Sequence, residues 1–310
     1  MSKLENNSIY IPLQGRIGNQ LFQYAYARMI QIEKGINTKI VIDDSDVLRC
    51  GWENSLIYYN LPNVEFIHVS IAKKKYFFTI QSLIRNVYKV LIKKMDYKTK
   101  YSFEKKVQAF LNKQGIVLCE NGYIEADLDL NKPNYLEGYF QSEKYFNKYG
   151  KDIRDILSKC FTEQVACYPN IEKIRNRNTV CISVKVEHNV GSSMYSVCGL
   201  DYWKRAIAYI TANVENPLFF ICSDNVPYVL EHLIDAKKYD YVVQDKTIPV
   251  HISLAAMAES KHFVIGNTTF GWWAQYLSQY ENKIVVAPSR WMAIDMPIDI
   301  YQDSWHLINT

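Results

Sequence analysis

The sequence predicts an α/β protein built from parallel β-sheets. Apolar runs of strand length alternate with segments of helical periodicity along most of the chain. The strand-like runs are apolar throughout and do not alternate with polar residues, which is typical of strands buried on both faces. At 310 residues, the chain is long enough for two domains of ordinary size.

The first half opens with this alternation and then departs from it. A short apolar run at 9–13 precedes Gly15, and apolar residues then recur at helical spacing until Gly35. A second predicted strand covers 39–43. The stretch from 71 to 115 has the pattern of helix and contains no predicted strand, so we expect it to form a helical insertion.

The second half is a regular repeat of strand and helix. Its predicted strands are 179–184, 218–222, 241–243, 262–265 and 283–287. Its predicted helices are 201–214, 225–235, 250–259 and 271–280. A polar segment at 173–178 precedes the first of these strands and predicts a boundary between domains at 1–175 and 176–310.

Composition narrows the class of protein. The seven cysteines are scattered without a C-x-x-C pair, and the chain has neither a predicted signal peptide nor an apolar run of the roughly 18 residues that span a membrane. These features predict a cytoplasmic protein with reduced thiols. No pair of histidines has metal-ligand spacing, and we interpret Asp44-Ser45-Asp46 as a turn, so no metal site is predicted.

The net charge is only +4, but residues 73–106 hold eleven lysines and arginines against two acidic residues. Apolar residues are interleaved there at helical spacing. Two interpretations stay open: a solvated helix face, or a peripheral patch that binds an anionic membrane surface. Nucleic acid is not expected as a partner, because recognition motifs and an overall basic charge are missing.

Three polar segments follow predicted strands, where ligands bind in open α/β sheets. The first is the glycine loop Gly15–Arg28, which lacks the G-x-G-x-x-G spacing of a dinucleotide site and argues against a dehydrogenase. The second is Ser223–Asn225, whose polar side chains are suited to a sugar hydroxyl or to helix capping. The third runs from Gly266 to Trp273, where Asn267, Thr268 and Thr269 can cap a helix and face a phosphate. In the competing interpretation it is a plain cap, with one of the two tryptophans in the core.

These segments, in their order along the chain, resemble those of the bacterial α-1,2-fucosyltransferases of glycosyltransferase family 11. The resemblance spans residues 9 to about 292 and rests on six blocks in register. The blocks are Gly15–Arg28, Glu137–Phe146, Tyr202–Ile207, Ser223-Asp224, Asn267–Trp273 and Ala287–Trp291.

The resemblance implies two Rossmann-like domains facing across a cleft (the GT-B type), with an acceptor-side first domain and a nucleotide-sugar domain second. It implies GDP-fucose as donor, a galactoside-type glycan as acceptor, inversion at the anomeric carbon, and no metal or other cofactor. The acceptor is expected to be a surface glycan, lipid-linked or soluble, or an oligosaccharide. The donor-binding residues predicted in this way are Arg16, Gly18, Asn19, Ser183, Ser223, Asp224, Asn267, Thr268, Thr269 and Phe270.

The chain departs from the family at the end of strand 179–184. There the family pattern H-x-R-R-x-D is replaced, its arginines by Lys185 and Val186 and its aspartate by His188. Lys185 keeps one cation for the leaving group, and Glu187 and His188 are the predicted bases. Two alternatives to a fucosyltransferase follow: a related transferase using another nucleotide sugar such as UDP-galactose, and a non-catalytic carbohydrate-binding relative.

Overall fold

The computed structural model describes residues 7–68, 80–186 and 192–310. The chain divides into two compact units, the first Met1–Ile156 with Asp295–Ile300 and the second Leu157–Ile294 with Tyr301–Thr310. This division falls earlier than the expected boundary at 175–176. The helical segment before that point belongs to the second unit because its side chains are part of that unit's core: the ring of Phe161 lies 4.9 Å from that of His251, and Tyr168 packs on Phe220.

The first unit contains a five-stranded sheet in the order β3-β2-β1-β5-β4, and all of its strand pairings are parallel. The strands are β1 (Ser8–Pro12), β2 (Lys39–Asp43), β3 (Val64–Ile67), β4 (Ile116–Cys119) and β5 (Asn134–Gly138). The helices are α1 (Ile17–Lys34), α2 (Ser45–Arg49), α3 (Ile80–Ile92), α4 (Tyr97–Lys113) and α5 (Gly150–Lys159), which contains the boundary between the units.

The expected helical insertion is present as α3 and α4 within the described residues. Residues 69–79 lie outside them. The apolar side of α3 covers the sheet, because Tyr88 packs in one cluster with Tyr10, Leu118 and Tyr135. Its opposite side is exposed.

The second unit contains a six-stranded parallel sheet in the order β11-β10-β9-β6-β7-β8. Its strands are β6 (Thr179–Val184), β7 (Leu218–Ser223), β8 (Tyr241–Val243), β9 (His262–Ile265), β10 (Val285–Pro288) and β11 (His306–Ile308). Its helices are α6 (Thr162–Ala166), α7 (Ile171–Asn176), α8 (Leu200–Asn213), α9 (Val226–His232), α10 (Val250–Ala258) and α11 (Thr269–Leu277).

The interior strands β6 and β7 are buried at every residue, as their continuous apolar sequences predict. One face of this sheet packs on Trp203, Ile207 and Ile210 of α8. The predicted α/β class is therefore confirmed, with a parallel sheet in each of two units.

Candidate active site

The strand order of the second unit locates a ligand crevice. Counted from its first strand β6, the order is 3-2-1-4-5-6, the arrangement of Rossmann folds. In such sheets the connections leave in opposite directions from the two central strands, here β6 and β9, and open a crevice at their carboxyl ends. Lys185 directly follows β6 and is half-buried, and Gly266 follows β9. The predicted residues at these two strand ends therefore come together at this switch point.

Helix α11 begins against the end of β6. A Cβ atom on Gly271 would lie 3.1 Å from the hydroxyl of Ser183, so the helix start and the strand end are in close contact. The Thr268 hydroxyl caps the helix by accepting a hydrogen bond from the Gly271 amide, at 3.2 Å. Thr269 and Phe270 occupy the first turn and are half-buried. The positive end of the helix dipole at this first turn favours an anion there.

Asp224 fixes the backbone beside Lys185. Its carboxylate accepts a hydrogen bond from the Val186 amide at 2.8 Å, while the Ser223 hydroxyl accepts one from the Asn225 amide at 3.1 Å. Ser223 and Asp224, which were predicted to bind the nucleotide-sugar donor, thus shape the loops at the carboxyl ends of β6 and β7. Their contact with a donor stays a prediction.

Lys246 is a cation at this edge that the sequence analysis missed. Its ammonium donates to the carbonyl of Asp224 at 2.8 Å and is otherwise exposed. Its position could have indicated this role, because Lys246 lies in the polar segment just after β8, and the carboxyl ends of parallel strands meet at one edge of the sheet. Lys246 adds a second positive charge next to the strand-end loop that carries Lys185.

The side chain of Asn267 joins two loops of the second unit. Its amide nitrogen donates to the carbonyls of Tyr195 and Trp291 at 3.0 and 2.9 Å, and the Cys198 thiol approaches its oxygen at 3.4 Å. The residue is buried. Asn267 therefore holds the walls of the crevice in place, and direct contact with a donor stays a prediction.

The tryptophans after this loop are both structural. Trp272 and Trp273 are fully buried, and Trp272 stacks on Tyr276 at 4.8 Å between ring centroids. The interpretation that places one of the two in the core therefore applies to both, because α11 lies against the sheet and buries both rings.

The predicted donor residues Arg16, Gly18 and Asn19 belong to the first unit. Arg16 precedes α1 and is exposed, and Gly18 lies buried in the first turn. The side-chain oxygen of Asn19 accepts a hydrogen bond from the Gln141 amide at 2.9 Å. Gly15 has a φ of +73°, which glycine adopts without strain, and lets the chain turn from β1 into α1.

The two family segments of the first unit pack on each other. Tyr26 of α1 contacts the rings of Phe140 and Tyr145 at 4.9 and 4.7 Å, and Phe22 contacts Phe146. Ring packing between the segments explains much of their aromatic content. Only the remaining residues of these two segments can line a site.

Some predictions fall elsewhere. The predicted bases Glu187 and His188 lie outside the described residues. The same is true of three lysines of the basic segment, Lys73, Lys74 and Lys75. Asp44 accepts a hydrogen bond from Asn54 at 3.0 Å and precedes α2, in which Asp46 pairs with Arg49. Among the described residues, no three His, Cys, Asp or Glu side chains group as metal ligands, and no helix there has the length and apolarity to cross a bilayer.

Similar proteins share both sequence and fold. The chain is 26% identical over 325 residues to the O-antigen biosynthesis glycosyltransferase WbnK of Escherichia coli, covering 96% of this chain and 99% of the relative. It is 22% identical to an alpha-1,2-colitosyltransferase of Escherichia coli, covering 90% of each chain. Among solved structures, NodZ alpha-1,6-fucosyltransferase soaked with GDP-fucose has a TM-score of 0.50 at 13% identity, over 94% of this chain and all of that one.

The family assignment rests on nearly the whole chain. The model of glycosyl transferase family 11 matches residues 8–309, which includes both units and every described strand. The NodZ likeness, at low identity, concerns the fold alone, and it agrees with two α/β units of parallel sheet. The chain is a glycosyltransferase and belongs to glycosyl transferase family 11.

Proposed function

We propose that this chain transfers fucose from GDP-fucose to a hydroxyl group of a galactoside, with inversion at the anomeric carbon. Family 11 membership, the O-antigen relative and the fold shared with a fucosyltransferase soaked with GDP-fucose support the proposal. The observation that carries it is the switch point of the second unit, where the end of β6, which Lys185 directly follows, meets the start of α11. The product belongs to a surface glycan or an oligosaccharide.

Inverting transfer needs charge stabilisation and a base. The bond between the anomeric carbon and the diphosphate breaks, and GDP leaves with the electron pair while the acceptor oxygen attacks from the opposite face. Lys185 and the first-turn amides of α11 are proposed to stabilise the developing phosphate charge. Lysine offers a point charge and not the two-pronged contact of arginine, so Lys246 is proposed to add part of what the missing arginines supply. Glu187 or His188 would take the acceptor proton.

We propose that this reaction needs no metal ion, since protein cations and helix amides take the place of a divalent cation at the leaving group. Transfer should therefore be unchanged in EDTA. Activity that disappears in EDTA and returns with Mg²⁺ or Mn²⁺ would contradict this part of the proposal.

A second candidate is transfer from another nucleotide sugar, such as UDP-galactose. The replacement of the two family arginines by Lys185 and Val186 favours it, because this strand end faces the pyrophosphate in the family pattern. A non-catalytic carbohydrate-binding relative is the third candidate. It predicts sugar binding without release of a nucleoside diphosphate.

The function is tested by incubating the purified chain with GDP-fucose and methyl β-D-galactoside and measuring GDP release and the linkage formed. Lys185→Ala should lower kcat by roughly a hundredfold or more while the KM for the galactoside changes little. Lys185→Arg should retain most of the activity. Lys204→Ala, an exposed position on α8, is the matched control. Unchanged turnover in Lys185→Ala would remove this residue from the mechanism.

We further propose that the protein works in the cytoplasm at the inner face of the membrane, on an acceptor that is lipid-linked. The outer side of α3 supports this, because Leu83, Val87, Val90 and Leu91 are each at least half exposed. Two exposed lysines follow the helix directly. Exposed apolar side chains on the outer side of a helix insert at an interface while neighbouring lysines attract anionic headgroups.

Vesicles of phosphatidylglycerol and phosphatidylcholine test this surface. Binding should be strong at low salt and lost at high salt. The double substitution of Lys93 and Lys94 to Gln should weaken it severalfold, whereas the same change at Lys237 and Lys238 in the second unit should not. Equal binding of both variants would contradict the membrane proposal and leave a solvated helix face.

A further inference from the structure

A ligand-sized cavity lies at the amino-terminal edge of the sheet in the second unit. Its volume of about 350 Å³ is within the ordinary range of ligand pockets, roughly 300–1,000 Å³. Lys261 lines the cavity and directly precedes β9, and its backbone amide donates to the carbonyl of Thr179, the first residue of β6, at 3.1 Å. The cavity therefore adjoins the beginnings of these two strands, whereas Lys185 and Gly266 follow their ends.

The cavity is separate from the crevice proposed for the nucleotide sugar. Helix α11 begins at Thr269 beside that crevice and ends at Leu277, which lines the cavity. Its nine residues span about 13 Å along the helix axis, at roughly 1.5 Å per residue. All residues that line the cavity belong to the second unit. A small ligand in the cavity therefore does not occupy the donor site.

We propose that this cavity binds a sugar carboxylate, such as a uronic acid unit, at a site apart from the transfer reaction. The inference goes beyond the proposed function and does not depend on the identity of the donor. Three features carry it: a cation that is left without an ion pair, a wall that contains several hydroxyl groups, and an exposed phenol ring.

The charges in the wall favour a ligand with one negative charge. The charged residues among the described lining are Arg175, Glu259 and Lys261. Arg175 already contacts Glu259 at 2.9 Å and Glu172 at 3.5 Å. Lys261 forms no ion pair with any residue that the structure describes, and its ammonium lies 5.7 Å from the centroid of the Tyr280 ring. One cation is thus left for a ligand, which matches a carboxylate better than a phosphate monoester of nearly two negative charges.

Hydroxyl groups supply the polar part of the wall, from Ser158, Thr162, Ser260 and Ser278. Ser260 is only 1% exposed, and its hydroxyl has no hydrogen-bond partner among the described residues. Its carbonyl accepts from the Ser278 hydroxyl at 2.8 Å. Because buried hydroxyls are normally hydrogen-bonded, Ser260 has an unused donor and acceptor at this wall. Such a wall suits a ligand with hydroxyl groups and not a hydrocarbon carboxylate.

Tyr280 supplies an aromatic ring to the cavity, with 38% of the residue exposed. The ring of His262 contacts it edge-on at 5.6 Å between centroids, and the Tyr280 amide donates to the Ser278 hydroxyl at 3.4 Å. Burial lowers the pKa of His262 and the charge of Lys261 lowers it further, so His262 adds no cation at neutral pH. An aromatic ring beside a fixed cation suits the C–H face and the carboxylate of a uronic acid.

Saturation-transfer NMR on the full chain tests the cavity, with methyl β-D-glucuronide as the probe. Methyl β-D-glucoside keeps the hydroxyls without the charge, and cyclohexanecarboxylate keeps the charge without the hydroxyls. The wild type should bind the glucuronide about tenfold more tightly than either of these. Glucose 6-phosphate should also bind more weakly, and saturating GDP should leave the glucuronide signal unchanged.

Variants assign the signal to this cavity. Lys261→Gln should weaken glucuronide binding about tenfold, whereas Lys261→Arg should retain most of it. Ala258→Leu should abolish binding by filling the cavity, because Ala258 lines it from the end of α10. Lys237→Gln, an exposed lysine of the second unit outside the cavity, is the matched control. The unfolding midpoint of Lys261→Gln in urea should equal that of the wild type, so that lost binding reports on the site.

Several outcomes would overturn the inference: no wild-type signal from the glucuronide, equal binding of the neutral glucoside, tighter binding of the phosphate, or displacement of the glucuronide by GDP. Binding that is unchanged in Lys261→Gln or in Ala258→Leu would overturn it as well. Calorimetry with GDP reports separately on the proposed function. A chain that binds the glucuronide through Lys261 but binds no GDP would refute GDP-dependent transfer and leave the cavity assignment standing.

Discussion

Replacing Asn267 with aspartate should destabilise the second unit although the change is nearly isosteric. The amide nitrogen of Asn267 donates to the carbonyls of Tyr195 and Trp291, and a carboxylate oxygen in its place can donate to neither. Each buried group left without a partner costs about 1–3 kcal/mol, so with two carbonyls affected the free energy of unfolding should fall by about 2–6 kcal/mol. The new negative charge also faces two carbonyl oxygens, which places the expected value in the upper part of that range.

Urea denaturation followed by tryptophan fluorescence measures this change. Asn213→Asp is the matched control, because the Asn213 amide donates only to Tyr209 of its own helix and is exposed. The control should shift the midpoint slightly and Asn267→Asp strongly. Equal midpoints for the two variants would refute the view that Asn267 holds the crevice walls.

Two further predictions concern the first unit. Burial raises the pKa of Glu104 from 4.5 to about 7, so the folded chain retains a proton that the unfolded chain releases between these values. Stability should therefore fall by about 3 kcal/mol as pH rises from 4.5 to 7, and Glu104→Gln should remove that dependence in urea titrations at pH 5 and 8. Gly138→Ala should break the pairing with Cys119 and lower the melting temperature steeply, whereas Gly199→Ala, which meets no neighbour within 4 Å, should not. Equal melting temperatures for the two alanine variants would contradict the close contact at Gly138.

The sequence predicted strands β1, β2 and β6–β10, and it missed β3, β4, β5 and β11. β6 and β7 are apolar throughout because both of their faces are covered, and such runs are recognisable without a structure. β3, by contrast, is a partly exposed edge strand with a charged residue in its middle, and β11 has only three residues. Their pairing depends on neighbours distant in sequence, which a local pattern does not encode.

The candidate active site, like the fold, could be predicted only in part from the sequence. Positions of polar residues after strands could be read from the sequence, because parallel strands bring their carboxyl ends to one edge. The roles of these residues could not be predicted. The side chains of Asn267 and Asp224 form hydrogen bonds with backbone groups that become neighbours only in the folded chain. Lys246 escaped notice for a similar reason: it lies in an irregular loop whose place is set by contacts with other elements.

Calorimetric titration of the full chain with GDP and with UDP, both in EDTA, tests the central claim most directly. The account predicts saturable GDP binding, weaker or no UDP binding, and a loss of GDP affinity in Lys185→Ala. Binding of UDP alone would contradict the fucosyl assignment and favour a changed donor. Binding of neither nucleotide would contradict a nucleotide-sugar site at the ends of β6 and β9.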